Sequence, residues 1–292
     1  MAGLEEKEWI LRDNGRSYTS PELLRYWIEE REAIRRLKEN GDPKPWSEDW
    51  VFQNTYFCNV HREDDRVTKW IRENYTPAIL GEYYDYAIVA ARIFNWPPTL
   101  DGLLYRGGLI PYNAQKMEEY LLSLQAEKTK IWGGAYLITT HGQKMTKIDY
   151  CVRLMGEVYQ LMSSAPPDYE FHDCASIHNY FMRIDGLGSF LAAQIVADLK
   201  NTRKHPLYDA PDWNDFSAPG PGSLRGLSWY FGREEGDSIT PASYQKAIDK
   251  VATDLDWEFC MQDLQNCLCE FDKYCRVRSG SGRSKRNYNG KS

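Results

Sequence analysis

The stretch Ile184-Asp185-Gly186-Leu187-Gly188-Ser189-Phe190-Leu191 limits what this chain can fold into more than any other. Its two glycines lie between segments whose apolar residues recur at helical spacing. Upstream stand Cys174, Ile177, His178, Phe181 and Ile184; downstream stand Leu187, Leu191, Ile195 and Leu199. Glycine tolerates positive φ and lets a backbone approach a neighbour, so the pattern predicts a tight hairpin between two short helices over 174–199. The first turn of the second helix then carries backbone N–H groups that can meet a phosphate. Gly186, Gly188 and Ser189 become candidate contacts to a DNA backbone, a mode of binding that reads no sequence. An ordinary helical hairpin has the same spacing, so the rest of the chain has to weigh between the two.

Composition narrows the class. At 292 residues the chain can build a sizeable core, as one domain or as two lobes. Aromatic residues make up 14%, enough for base stacking as well as packing, and the net charge of −6 argues against a non-specific nucleic-acid coat. No apolar run approaches a membrane span and the acidic start is no signal peptide, so a cytoplasmic protein is expected. Seven cysteines without framework spacing suit a reducing compartment. From Arg276 the chain carries Arg278, Arg283, Lys285, Arg286 and Lys291 among Ser and Gly, with no acid. That predicts a flexible basic tail over 276–292, with Arg276 and Arg278 as phosphate contacts.

Taken in order, Ser20 and Pro21 open a helix with Leu23, Leu24, Trp27 and Ile28 on one stripe. The block from Phe57 to Ile71 has Val60, Val67, Trp70 and Ile71 at helical spacing, which would place Asn59, Arg62 and Arg66 in a narrow arc of another face. Helices are also expected over Tyr83–Phe94, from about Asn113 to Lys128, and over Lys147–Met162. The loop Ala218-Pro219-Gly220-Pro221-Gly222-Ser223 leads into another, with Arg225 placed to help hold an anion. It lacks the Lys-Ser/Thr ending of a nucleotide-binding P-loop. Pro241–Tyr274 is expected to be one long helix, and strand signals are few, so the fold class is mainly α.

Cys260, Cys267, Cys269 and Cys275 invite comparison with an iron–sulfur loop. On one continuous helix Cys267 and Cys269 would point about 200° apart, so buried apolar cysteines are the expectation and no cofactor is called for. The five histidines show neither metal-pair spacing nor a deaminase signature, and no metal is expected.

The hairpin and the residues after it resemble the helix-hairpin-helix DNA glycosylases, in which a catalytic Asp follows the first hairpin glycine by about two dozen residues. Asp209 falls in that window, with Asp198 and Asp212 as rivals, because Ala210-Pro211-Asp212-Trp213 comes after Asp209 where those enzymes start a helix. Lyase-type members carry a Lys two residues beyond the second glycine; here Phe190 stands there, which implies a monofunctional enzyme.

The segments Lys44-Pro45-Trp46, FCNVHREDDRVTKWI, GLGSFLAAQIVADL, APGPGSLRGL and LQNCLCEFDKY together resemble the DNA base hypermodification family. That family is related to the helical domain of 5-hydroxymethyluracil DNA kinases and to the thymine pyrophosphorylase proteins. The resemblance runs from about residue 30 to 288. With no P-loop, it does not carry over a phosphorylating activity. It implies a two-lobed helical fold over 1–275 and a partner that is double-stranded DNA bearing modified pyrimidines. Two chemistries stay open. One is excision of a hypermodified pyrimidine, such as glucosylated 5-hydroxymethylcytosine, as in phage-defence glycosylases that the branch resembles. The other is transfer of an amino acid or amine to an activated 5-hydroxymethyl pyrimidine. Both would extrude the nucleotide. Excision is the main expectation, since it needs only a DNA clamp, a pocket and one carboxylate. A non-catalytic reader of modified DNA is the third class. Asn59, Arg62 and Asp65 are expected in the pocket wall, facing Glu270 and Lys273.

Overall fold

A computed structural model describes residues 11–13, 16–135, 138–164, 172–232 and 239–281. The fold is mainly α, and the chain divides into two compact units, 1–65 with 217–292 and the continuous stretch 66–216.

The first unit begins with a short antiparallel ribbon, β1 (Leu11–Asp13) and β2 (Arg16–Tyr18). Helix α1 (Ser20–Glu39) comes next. Its cap is Thr19, not Ser20: the Thr19 hydroxyl and the Glu22 carboxylate bond each other's backbone N–H groups. Beyond the Lys44-Pro45-Trp46 loop comes α2 (Trp50–Asn54), capped by Asp49. The chain then runs extended from Tyr56 to His61 and makes a single 3-10 turn over Arg62–Asp64. The expected helix over Phe57–Ile71 is therefore absent in its first half, and Asn59, Arg62 and Arg66 share no helical face.

The second unit is built from α3 (Arg66–Asn74), α4 (Pro77–Leu80), α5 (Tyr84–Phe94), α6 (Pro97–Tyr105), α7 (Ala114–Ala126), α8 (Lys147–Ser163), α9 (Cys174–Phe181) and α10 (Ser189–Lys200). Helix α5 is buried at every residue but Asp85, because it packs against both α8 and α10. The predicted hairpin is α9, a turn and α10. Gly186 sits in that turn at φ +107, and a Cβ there would come within 2.3 Å of the Tyr150 hydroxyl, so the position demands glycine twice over.

The chain returns to the first unit with α11 (Pro221–Tyr230), α12 (Tyr244–Leu255) and α13 (Met261–Arg278). The single helix expected over Pro241–Tyr274 is two, broken where Asp256 adopts a left-handed cap and Cys260 caps α13. Helix α13 lays Leu264, Cys267, Leu268, Phe271 and Cys275 into a core shared with Leu23, Leu24 and Trp27 of α1. Against α11 the approach is backbone to backbone: a Cβ on Gly226 would lie 2.1 Å from the Leu268 carbonyl oxygen. At the end of this core, Asp49 accepts hydrogen bonds from the hydroxyls of Tyr26 and Tyr274 and from Arg278 Nη1 at 2.8 Å. Arg278 thus belongs to α13 and to an internal cluster, so the helix runs three residues past the expected start of the tail. Arg283, Lys285, Arg286 and Lys291 lie outside the described residues.

Candidate functional site

Two places gather the residues that the sequence singled out, one in each unit.

In the first unit the segment 56–62, extended as far as His61, belongs to no strand among the described residues. Its backbone groups are met by side chains instead, and most of those stand on one face of α13. The Asp263 carboxylate accepts from the Arg62 N–H at 3.0 Å, and the Asn266 amide donates to the Asn59 carbonyl at 3.0 Å. Glu270 accepts from the Cys58 N–H at 3.1 Å, and Lys273 donates to the Tyr56 carbonyl at 3.0 Å. From α1, Arg31 Nε donates to the Cys58 carbonyl at 2.9 Å and its Nη2 to the Asn59 side-chain oxygen. Positions 263, 266, 270 and 273 recur at helical spacing, so one polar stripe holds one stretch of irregular backbone.

This arrangement gathers Asn59, Asp65, Glu270 and Lys273 around one segment, where they bond its backbone and one another. Asn59 is fully engaged, accepting from Arg31 and donating to the Asp64 carbonyl at 2.9 Å. Lys273 bonds Glu270 at 2.6 Å. Arg62 is buried, its side chain turned to Glu63 at 3.2 Å. Asp65 accepts from the Asn59 N–H at 3.1 Å, and burial pushes its carboxyl up to about 6, partly offset by that hydrogen bond and by Arg62. The sequence reading missed Arg31. Among the described residues its Nη1 is buried without a hydrogen bond. The neighbouring Tyr56 phenol is raised to about 12, and the Cys58 thiol is driven up, chiefly by burial.

The basic residues expected to reach DNA from this unit are otherwise occupied. Asp272, 1% exposed, binds Arg225 at 3.0 Å and Arg276 at 3.1 Å and accepts from the Trp229 indole at 3.2 Å. Arg278 is turned inward to Asp49. Of the late cysteines, Cys267 and Cys275 are buried in the core, while Cys260 and Cys269 are half-buried.

In the second unit the hairpin is held from within. His178 on α9 donates from Nε2 to the Ser189 carbonyl at 3.0 Å, tying the two helices together, and burial lowers its pKa so that it stays neutral. Ile184 and Leu187 are buried beneath the turn. Gly188 is the N-cap of α10 and, as a glycine, supplies no side-chain cap.

The three rival carboxylates differ sharply. Asp198 is fully buried between two guanidinium groups: Arg92 grips it bidentately and Arg72 Nη1 lies 3.0 Å away. Asp212 caps α9, its two oxygens accepting from the Cys174 and Ala175 N–H groups at 2.8 and 3.0 Å. Asp209 ends a 3-10 turn (Pro206–Asp209) that is anchored on α10 through the buried Leu207. Its side chain is exposed and makes no hydrogen bond or ion pair among the described residues.

No described helix is long and apolar enough to cross a membrane. Neither a curated protein nor a solved structure matches the chain. The family model described as "5-hmdU DNA kinase, helical domain" matches residues 20–284. That span takes in α1 to α13, both units and both clusters of candidate residues. The chain belongs to the family of the 5-hmdU DNA kinase helical domain.

Proposed function

We propose that this chain processes modified pyrimidines in double-stranded DNA by excision, hydrolysing the bond between the base and C1′ with Asp209 as the working carboxylate. One observation carries the reading. Of the three rival acids, Asp198 and Asp212 are committed to the fold, whereas Asp209, which has the address of the catalytic carboxylate, makes no hydrogen bond or ion pair among the described residues. As the C1′–N1 bond breaks, its electron pair leaves with the base and C1′ gains positive charge. A carboxylate beside it stabilises that charge once DNA has displaced the surrounding water. Water then adds to C1′, its proton passes to Asp209, and an abasic site remains. Phe190, where a lyase would carry its amine, fits hydrolysis without strand cleavage. Gly186, Gly188 and Ser189 at the start of α10 serve as the phosphate grip.

A second reading rests on the first unit. A carboxyl raised to about 6 beside Glu270 and Lys273 suits a general base near neutral pH. In group transfer, an amine nitrogen would attack the C5 methylene of a phosphorylated 5-hydroxymethyl pyrimidine. Phosphate would leave with the C–O bonding pair, and Asp65 would take the proton of the amine.

The product decides between them. DNAs carrying thymine, 5-hydroxymethyl pyrimidines or glucosylated 5-hydroxymethylcytosine are incubated with the protein, the phosphorylated base and an amine being added in a second set. Mass spectrometry then reads free base or added mass. Excision predicts free modified base and an intact strand with an abasic site. An amine adduct without base loss supports the second reading, and tight binding with neither product leaves only a reader of modified DNA.

A further inference from the structure

His61 is an ionisable side chain of the pinned segment that neither reading uses, and its surroundings are those of a built site. Its Nδ1 lies 3.1 Å from Asp263 Oδ2, while Asp263 Oδ1 is fixed by the Arg62 N–H at 3.0 Å. The acid is thus oriented by the backbone and in turn orients the ring. In the neutral imidazole the proton sits on Nδ1, facing the carboxylate, so the lone pair is on Nε2. Nε2 makes no hydrogen bond among the described residues, and the side chain is 28% accessible. The loop between α12 and α13 stands beside it. Phe259 meets the imidazole edge to face at 4.6 Å, Trp257 packs against Phe259 at 5.3 Å, and the Phe259 ring is 55% exposed. An exposed aromatic face next to an aimed, unpaired acceptor suits a planar ring that carries its own hydrogen-bond donor.

We propose that His61, Asp263 and Phe259 form a binding site for an unpaired nucleobase, which stacks on Phe259 while a base N–H or hydroxyl donates to His61 Nε2. The inference deepens the reading that the chain acts on bases in DNA, and it does not depend on which reaction ensues. Asp263 is a positioning residue here. Groups facing the imidazole come from three elements: Asp263 on α13, Glu32 on α1 and Asp64 in the 3-10 turn. The hydrogen bond to Asp263, with these charges, holds the His61 pKa above its ordinary 6.5. The hydrogen bond from Arg35 lowers the Glu32 pKa from its ordinary value.

The test uses the full chain and the free nucleoside 5-hydroxymethyl-2′-deoxyuridine, with 2-deoxyribose 5-phosphate as the arm lacking a base. Binding is monitored through the His61 ring resonance by NMR. The nucleoside should shift that resonance saturably and the sugar phosphate should not. Phe259→Ala, at an exposed position, should weaken binding about tenfold, whereas Phe259→Tyr keeps it. Affinity should fall as pH is lowered through the His61 pKa, because a protonated Nε2 cannot accept. Asp263→Asn should move the pKa and the midpoint of binding down together. Binding that strengthens at low pH, or that responds equally to the sugar phosphate, would mean an anion site and overturn the proposal. So would an unchanged affinity in Phe259→Ala. Base release by the intact protein is a separate measurement, so failure here leaves the excision reading standing.

Discussion

The segment 56–62 and the hairpin turn 182–188 are both irregular backbone, yet they are held in opposite ways. The hairpin is locally satisfied: Met182, Arg183, Ile184 and Leu187 donate to carbonyls three or four residues back. The segment in the first unit is satisfied remotely, by side chains about 200 residues downstream on α13. The cost of each solution falls on different residues. In the first unit Asn59, Glu270, Lys273 and one oxygen of Asp65 are consumed in holding backbone, and what is left over is the second Asp65 oxygen, His61 Nε2 and one arm of Arg31. Around the hairpin the backbone needs little help beyond Asp212 and His178, so Asp209 stays free. A polar residue near a site acquires meaning only after the backbone's own demands have been met.

That contrast can be broken at its strongest point first. Asp209→Asn keeps shape and removes charge, so under the excision reading base release should fall by about 10²–10⁴, an electrostatic contribution of roughly 3–5 kcal/mol, while DNA binding survives. Asp212→Asn serves as the control, with thermal melting to separate lost capping from lost chemistry. Near wild-type release by Asp209→Asn would assign the carboxylate elsewhere. Next in size, Asp198→Asn leaves Arg92 and Arg72 without their counter-charge inside the second unit, and should cost about 3–5 kcal/mol of stability in denaturant titrations. A loss under about 1 kcal/mol would mean that the pair is not structural.

The smallest effect separates a held carboxyl from a free one. The folded-state pKa of Asp65 is raised from 3.8 to about 6. Its neutral form is therefore the one the fold favours, so the associated stability is complete below about pH 4 and is lost as pH rises through about 6. Asp65→Asn should remove that loss and gain on the order of 1–2 kcal/mol at pH 8 relative to pH 4, measured by urea unfolding at both. A pH-independent difference between the two proteins would show that the Asp65 carboxyl is not held in its neutral form.

Much of this architecture was legible in the residues. Apolar spacing located α1, α7 and α8, which carry their own caps, as well as the hairpin and the almost wholly buried α5. The segment from Phe57 to His61 misled because Val60 happens to continue the spacing of Val67, Trp70 and Ile71, while the partners that keep it extended lie on α13. The clue was present on the other side. Asp263, Asn266, Glu270 and Lys273 make a polar stripe on a helix that is otherwise core, and such a stripe asks for a polar partner. The rivalry of Asp198 and Asp212 with Asp209 was likewise beyond local spacing, since Arg92 stands 106 residues from Asp198 and Cys174 stands 38 from Asp212. The basic tail was placed too early for the same reason: Arg276 and Arg278 look unpaired until Asp272 and Asp49 are brought beside them.

The discontinuity of the first unit also orders events during synthesis. Residues 66–216 form a continuous unit and can close their core as soon as they emerge. The segment around Cys58, Asn59 and Arg62 cannot, since the helix that holds it in place is made about 200 residues later. Until α13 leaves the ribosome, the backbone groups of Tyr56, Cys58, Asn59 and Arg62 lack the side chains that satisfy them in the folded unit. The FCNVHR motif therefore takes its shape only after a further 200 or so residues have been translated.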